Sequence, residues 1–166
     1  MTRFFVSLVF FFILTTSQVT LLNYTPFDFL KADLGIPFIL YEAFFGSISL
    51  AFWIAVSVGI IQEGFSSCGP GGILFGKISI FLFSFFMKNR LFVESQYTFG
   101  AICGFSEVLE SLLIIGLSLI TRGDISNAPN VLYYILPNAT LSSLFSFPIY
   151  HIYRSFEQKY GEREWE

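Results

Sequence analysis

Charged residues, cysteine and histidine are all scarce in this chain of 166 residues. Lysine, arginine, aspartate and glutamate make up 13% of it, whereas soluble domains usually carry about 25%. Two cysteines cannot staple a chain of this length, which excludes a disulfide scaffold. The net charge of −3 gives no basis for binding nucleic acid. A single histidine, His151, favours neither a metal site nor a Ser/His/Asp triad, and we expect it to be an interfacial anchor.

Apolar and aromatic residues take the place of the missing charges. Hydrophobic residues make up 54% of the chain, and 23 residues are phenylalanine. This content excludes a disordered chain. A water-soluble globule of this size would need more polar surface than the composition supplies. We therefore predict an all-α integral membrane protein that forms one compact domain over residues 1–166.

Six apolar segments approach the length of about 20 residues that spans a bilayer. They cover residues 4–22, 26–45, 46–63, 73–88, 96–120 and 131–152. The second segment is diluted by Asp28, Lys31 and Asp33, so five spans with this segment at the interface is the alternative. The first segment resembles a signal peptide but lacks an A-x-A cleavage pattern, so we expect a retained helix.

Basic residues favour six spans with both termini in the cytoplasm. In that topology six basic residues fall inside and two, Lys31 and Arg122, fall outside, as the positive-inside rule requires. The six are Arg3, Lys88, Arg90, Arg154, Lys159 and Arg163. With five spans the two termini would lie on opposite sides of the membrane.

Two charged residues flank the glycine-rich loop between the third and fourth segments. Glu63 ends the third segment, and Lys77 lies one turn into the fourth. An ionisable group inside a bilayer costs about 2.5–3.5 kcal/mol on insertion scales, so it should face protein or a cavity. A Glu63–Lys77 ion pair is one interpretation. The other has Glu63 solvated at the interface and Lys77 snorkelling to the surface.

The fifth segment carries two acidic residues and a glycine pair. Glu107 and Glu110 are three residues apart, so they share a helix face and should turn away from lipid. They are candidates for a polar packing seam, a partner contact, or cation or proton transport, and two acids so close tend to keep one proton. Gly100 and Gly104 form a G-x-x-x-G pattern, which we expect to pack helices within the monomer.

The middle of the chain resembles the rod shape-determining protein MreD family. The resemblance lies in residues 56–67, where Glu63 stands at an acidic position, then in the Gly/Pro turn and helix start at 69–74, and in the basic end Lys88-Asn89-Arg90. Residues 136–139, Leu-Pro-Asn-Ala, resemble part of the last helix of the family. Three features depart from the family: a glutamate where aspartate is more common, Pro26-Phe27-Asp28 in place of Pro-Asp, and an asparagine position that either Asn138 or Ser142 could fill.

This resemblance implies a bacterial inner-membrane protein of the cell-elongation complex. Such proteins bind the membrane-anchored MreC and, through the complex, MreB, RodA and the elongation transpeptidase. The family has no known catalytic activity or cofactor, and its role is in cell shape and peptidoglycan synthesis. Its helical fold is similar to that of the substrate-binding components of energy-coupling-factor vitamin transporters.

Two other functions are weighed against the scaffold. A vitamin-binding transporter component would typically carry an A-x-x-x-A pattern in its first helix, but residues 4–22 contain no alanine. An enzyme acting on lipid could use Glu107 and Glu110 as acid and base, but the sequence offers them no histidine or metal partner. The sequence therefore favours a non-enzymatic scaffold in contact with membrane lipid.

Overall fold

The computed structural model describes residues 16, 33–65, 71–91, 93–122 and 128–161. Every regular element of more than one residue in these ranges is an α-helix, which confirms the all-α class. The helices are α1 (Gly35–Phe44), α2 (Ile48–Phe65), α3 (Gly72–Met87), α4 (Gln96–Arg122) and α5 (Ala128–Gly161).

Four of the six predicted segments lie on α2 to α5. The last helix continues to Gly161, nine residues beyond the predicted end at 152. The second segment differs most, because α1 has only ten residues and begins at Gly35. The predicted first span, 4–22, lies outside the described residues apart from residue 16. One described helix, Gln96–Thr121, is long and apolar enough to cross a membrane, whereas Gly35–Phe44, Ile48–Gly64 and Gly72–Met87 are shorter apolar helices.

The short helix α1 forms the centre of the bundle. It contacts each of α2 to α5, and all its residues from Gly35 to Ala43 are buried. A helix that is apolar all round is stable only when other elements surround it. Its sequence, GIPFILYEAF, has one charged residue, Glu42, which is itself buried.

Aromatic rings join the end of α1 to α4 and α5. The ring of Tyr41 lies 4.7 Å from that of Tyr153 and 6.0 Å from that of Phe99, measured between centroids. Phe99 in turn lies 5.5 Å from Tyr150. Offset and edge-on pairs of this kind contribute about 0.5–1.5 kcal/mol each beyond the area they bury. This cluster fixes the start of α4 and the second half of α5 around α1.

The bundle exposes many large apolar side chains and buries several charged ones beside its apolar core. Large apolar side chains face outward, with Phe86 67% exposed and Ile120 84% exposed. Lys77, Glu107 and Glu110 are buried inside. Soluble proteins expose scattered apolar residues but almost never bury a lysine or a glutamate without a partner. The interior charges must therefore be paired, and the pairing defines the site.

Candidate functional site

A cluster of charged and polar side chains lies inside the bundle. Its members are one residue just before α1, Asp33, and side chains from each of the other four described helices. Its members, called the charged cluster below, are Asp33, Gln62 of α2, Lys77 of α3, Glu107 and Glu110 of α4, and Ser142 of α5.

Lys77 is the cation at the centre of this cluster. Its side chain is buried, and its ammonium group forms ion pairs with Asp33 and Glu110. The Nζ atom lies 2.6 Å from Oε1 and 2.7 Å from Oε2 of Glu110, so both carboxylate oxygens contact it. Gly76 makes this approach possible, because a Cβ there would lie 3.0 Å from Glu110 Oε1.

These pairs correct both interpretations of Lys77 that the sequence allowed. Lys77 does not snorkel to the surface, since none of its surface is exposed. Its partners are Asp33 and Glu110 rather than Glu63. The reason is that the backbone N–H groups of Gly71 and Leu74 bind Glu63, while Lys77 faces Asp33 and Glu110.

Asp33 connects the start of α1 to α2 and α3. Its Oδ1 accepts hydrogen bonds from the Gly35 backbone N–H at 2.8 Å and from Gln62 Nε2 at 2.9 Å, while Oδ2 pairs with Lys77. The first bond satisfies one of the amide groups that the start of α1 leaves without a helical partner. In the sequence, Asp33 stands out only as a charge that dilutes the second segment. A buried ionisable group needs a partner wherever it lies, and that rule could have found it.

Glu107 is held by α5 rather than by Lys77. The Ser142 hydroxyl donates to Glu107 Oε2 at 2.9 Å and accepts the Asp33 backbone N–H at 3.3 Å. Glu107 and Glu110 are both buried, at 7% and 5% exposed, so they share the inward face of α4. The residue before them in this stretch, Ser106, is fully buried, and its Oγ has no hydrogen-bond partner among the described residues.

Burial makes each ion pair of the cluster energetically unfavourable to break. Several kcal/mol are needed to bury one ion, and only a well-placed partner offsets that cost. Lys77 is that partner for both Asp33 and Glu110. Within the described ranges, no three histidine, cysteine, aspartate or glutamate side chains are arranged to hold a metal ion. The arrangement can tie helices together and can hold a proton.

Glu63 lies outside the charged cluster and caps α3. Its carboxylate accepts hydrogen bonds from the backbone N–H groups of Gly71 and Leu74, the latter at 3.3 Å. Gly71 has φ +88°, a backbone conformation that glycine adopts without strain. A Cβ on Gly59 would lie 2.8 Å from Leu74 Cα, so Gly59 lets α2 and α3 meet closely. Glu63, Gly59 and Gly71 therefore hold the end of α2 against the start of α3.

The glycine pair of α4 faces α5. A Cβ on Gly100 would lie 3.2 Å from Ser143 Oγ, and one on Gly104 would lie 3.2 Å from the Ala139 carbonyl oxygen. The small residues thus let two backbones of the same chain approach closely. The extensive contact between α4 and α5 brings Glu107 within reach of Ser142.

His151 is exposed and lines an open cavity of about 540 Å³ between the start of α4 and the second half of α5. Arg154 is held there by Tyr150, because its Nη1 donates a hydrogen bond to the tyrosine hydroxyl at 2.6 Å. The other lining residues are Glu94, Ser95, Gln96, Tyr97 and Ser155. This cavity is separate from the charged cluster, and its basic and acidic groups are mixed.

No family model, no curated protein and no solved structure matches this chain. The resemblance to the MreD family thus remains an interpretation of short sequence motifs. A fold can serve many functions, so the function must be argued from the arrangement of specific residues.

Proposed function

We propose that this protein is a non-enzymatic component of the bacterial cell-elongation complex, which lies in the inner membrane and binds MreC. In this role it acts in cell shape and peptidoglycan synthesis, and reaches MreB, RodA and the elongation transpeptidase through the complex. The proposal combines the sequence resemblance with the arrangement of charge and apolar surface in the described bundle.

The exposed apolar side chains and the buried charges of the bundle support a membrane environment. In water, exposed side chains such as Phe86 and Ile120 would form large apolar patches, which mark contact with lipid or protein. In a bilayer the same side chains face hydrocarbon. Lys77, Glu107 and Glu110 would be too costly on a lipid-facing surface, and they are found inside.

A multi-pass topology extends this proposal. By helix geometry α2 and α3 are about 27 and 24 Å long, close to the roughly 30 Å of a bilayer core. Such helices are accommodated by local thinning of the bilayer. We place both termini in the cytoplasm with six crossings, the second of which includes α1, a helix that is about 15 Å long and buried in the bundle.

The burial of Lys77 between Asp33 and Glu110 is the observation that carries the scaffold role. In the charged cluster, the charged side chains bond to groups on other parts of the bundle. This arrangement fixes helices relative to one another and presents an outer surface of fixed shape. Phenylalanine on that surface, as at Phe75 and Phe86, gives large and stiff contact area for a partner helix.

Depletion of the protein in its rod-shaped host tests this role. We expect rods to become spheres, because elongation would lose a component. Cells that keep their shape but lose uptake of one vitamin would identify the alternative, a substrate-binding component of a vitamin transporter. The open cavity near His151 lies at the end of the bundle that we assign to the cytoplasm, which does not suit capture of an external vitamin.

Binding to MreC is tested by co-purification from membranes. Alanine variants of exposed apolar residues on three helices, Phe86, Ile120 and Leu136, should include at least one that lowers MreC capture while protein level and thermal stability stay normal. The control is Gly116→Ala, at a position where a Cβ meets nothing within 4 Å, which should leave capture intact. If intact membranes carrying the wild-type chain retain no MreC, the proposed partner is wrong.

A further inference from the structure

The charged cluster holds more acidic groups than its buried cation can neutralise. Asp33, Glu107 and Glu110 are carboxyl groups, and Lys77 is the one cation among the described members of the cluster. With all three carboxyls ionised, the interior would carry two excess negative charges. A buried charge without a partner is so unfavourable that the group takes up a proton instead. The question is which carboxyl does so.

The contacts distinguish the three carboxyls. Asp33 receives hydrogen bonds from Lys77, Gln62 and the Gly35 N–H, which together stabilise its charged form. Glu110 has both oxygens on the Lys77 ammonium. Within the described residues, Glu107 receives a single neutral hydrogen bond, from Ser142 at 2.9 Å.

We propose that Glu107 is a proton-binding site, and that the neutral acid is its form in the packed bundle. The hydroxyl of Ser142 accepts the Asp33 N–H and donates its own proton to Glu107 Oε2. The bound proton therefore belongs on Oε1. Ser106, the residue before Glu107, is fully buried, and its Oγ has no partner among the described residues.

The surroundings of Glu107 favour this proton. The titratable and polar groups around it are Asp33 before α1, Lys77 on α3, Cys103 and Glu110 on α4, and the neutral Gln62 of α2 and Ser142 of α5. Two carboxylates against one ammonium leave a net negative field, which opposes a third negative charge. Release of the proton would place that charge at the α4–α5 contact, so proton binding is coupled to helix packing. The site does not depend on which partner the bundle binds.

Infrared spectroscopy of the full chain in uncharged detergent micelles tests the proposal. At neutral pH the wild type should show the carbonyl stretch of a protonated carboxylic acid, and this band should shift in heavy water. Glu107→Gln should lose the band, because the amide has no acid proton. The matched control is Glu94→Gln, the same change at an exposed glutamate, which should keep it.

A second measurement uses the unaltered chain, in case Glu107→Gln does not fold. An apolar carbodiimide reacts with protonated carboxyl groups in apolar surroundings, and peptide mass spectrometry locates the adduct. The adduct should form on Glu107 and should decline as the pH is raised. The proposal is overturned if the wild type has no acid band at any pH, if the band is as strong in Glu107→Gln as in the wild type, or if Asp33 or Glu110 carries the adduct instead.

Discussion

Removing the buried ammonium group of Lys77 should destabilise the protein more than any other single change of charge in the described bundle. The substitution Lys77→Met keeps the length and most of the volume of the side chain but removes its charge. Asp33 and Glu110 would then face each other without a cation, since both pair with Lys77 in the intact bundle. Breaking a buried pair by removing one partner costs about 3–5 kcal/mol.

This cost is large relative to the total free energy of unfolding. Proteins are typically stable by about 5–15 kcal/mol, so Lys77→Met should remove about a third or more of the total at the middle of that range. Lys88→Met, the same substitution at the end of α3, is the matched control. Its side chain is only half-buried, and a change there should cost at most about 1 kcal/mol.

The assay is equilibrium unfolding in mild detergent, driven by added dodecyl sulfate and followed by far-ultraviolet circular dichroism. The triple variant Lys77→Met/Asp33→Asn/Glu110→Gln should recover most of the lost stability, because neutral groups replace the whole set of charges. If Lys77→Met unfolds at the same point as Lys88→Met, or if the triple variant is no more stable than the single one, the ion pairs do not have the role assigned to them.

Three smaller predictions use the same unfolding assay. Gly104→Val should lower the free energy of unfolding by about 1–3 kcal/mol, because its Cβ would crowd a backbone carbonyl of α5. The control is Gly116→Val, where a Cβ meets nothing within 4 Å, and it should change that free energy by about 0.5 kcal/mol or less. Glu63→Ala should cost about 0.5–2 kcal/mol through loss of the α3 cap, and an unchanged midpoint would show that the cap contributes nothing. Ser142→Ala should lower the free energy of unfolding by about 1–3 kcal/mol, because it leaves the buried Glu107 carboxyl and the part-buried Asp33 N–H without this partner. Equal stability of Ser142→Ala and Thr140→Ala, whose hydroxyl bonds a carbonyl of its own helix, would contradict that.

Local sequence patterns predicted much of the helical architecture. Apolar runs separated by glycine, proline and charged residues locate α2 to α5, because a helix is favoured wherever such a run is long enough. The three-residue spacing of Glu107 and Glu110 placed both on one face, and that face is buried. Each of these inferences depends on residues close together in the chain.

The partners of Lys77 could not be predicted in the same way. Asp33 is 44 residues away and Glu110 is 33 residues away. The pairing depends on how α1 and α4 pack against α3, which hydropathy does not encode. Glu63 was one candidate partner in the sequence because a short loop makes α2 and α3 neighbours. The backbone amides at the start of α3 compete for that carboxylate and bind it.

The long separations within the charged cluster also set an order for biogenesis. During synthesis Asp33 emerges first, Lys77 follows, then Glu110, and Ser142 comes last, 109 residues after Asp33. A nascent chain truncated before α5 would lack the hydroxyl that bridges Asp33 and Glu107. Such a fragment would keep an incompletely satisfied polar interior. The polar contacts of the cluster are complete only once α5 has been made and has packed against α4.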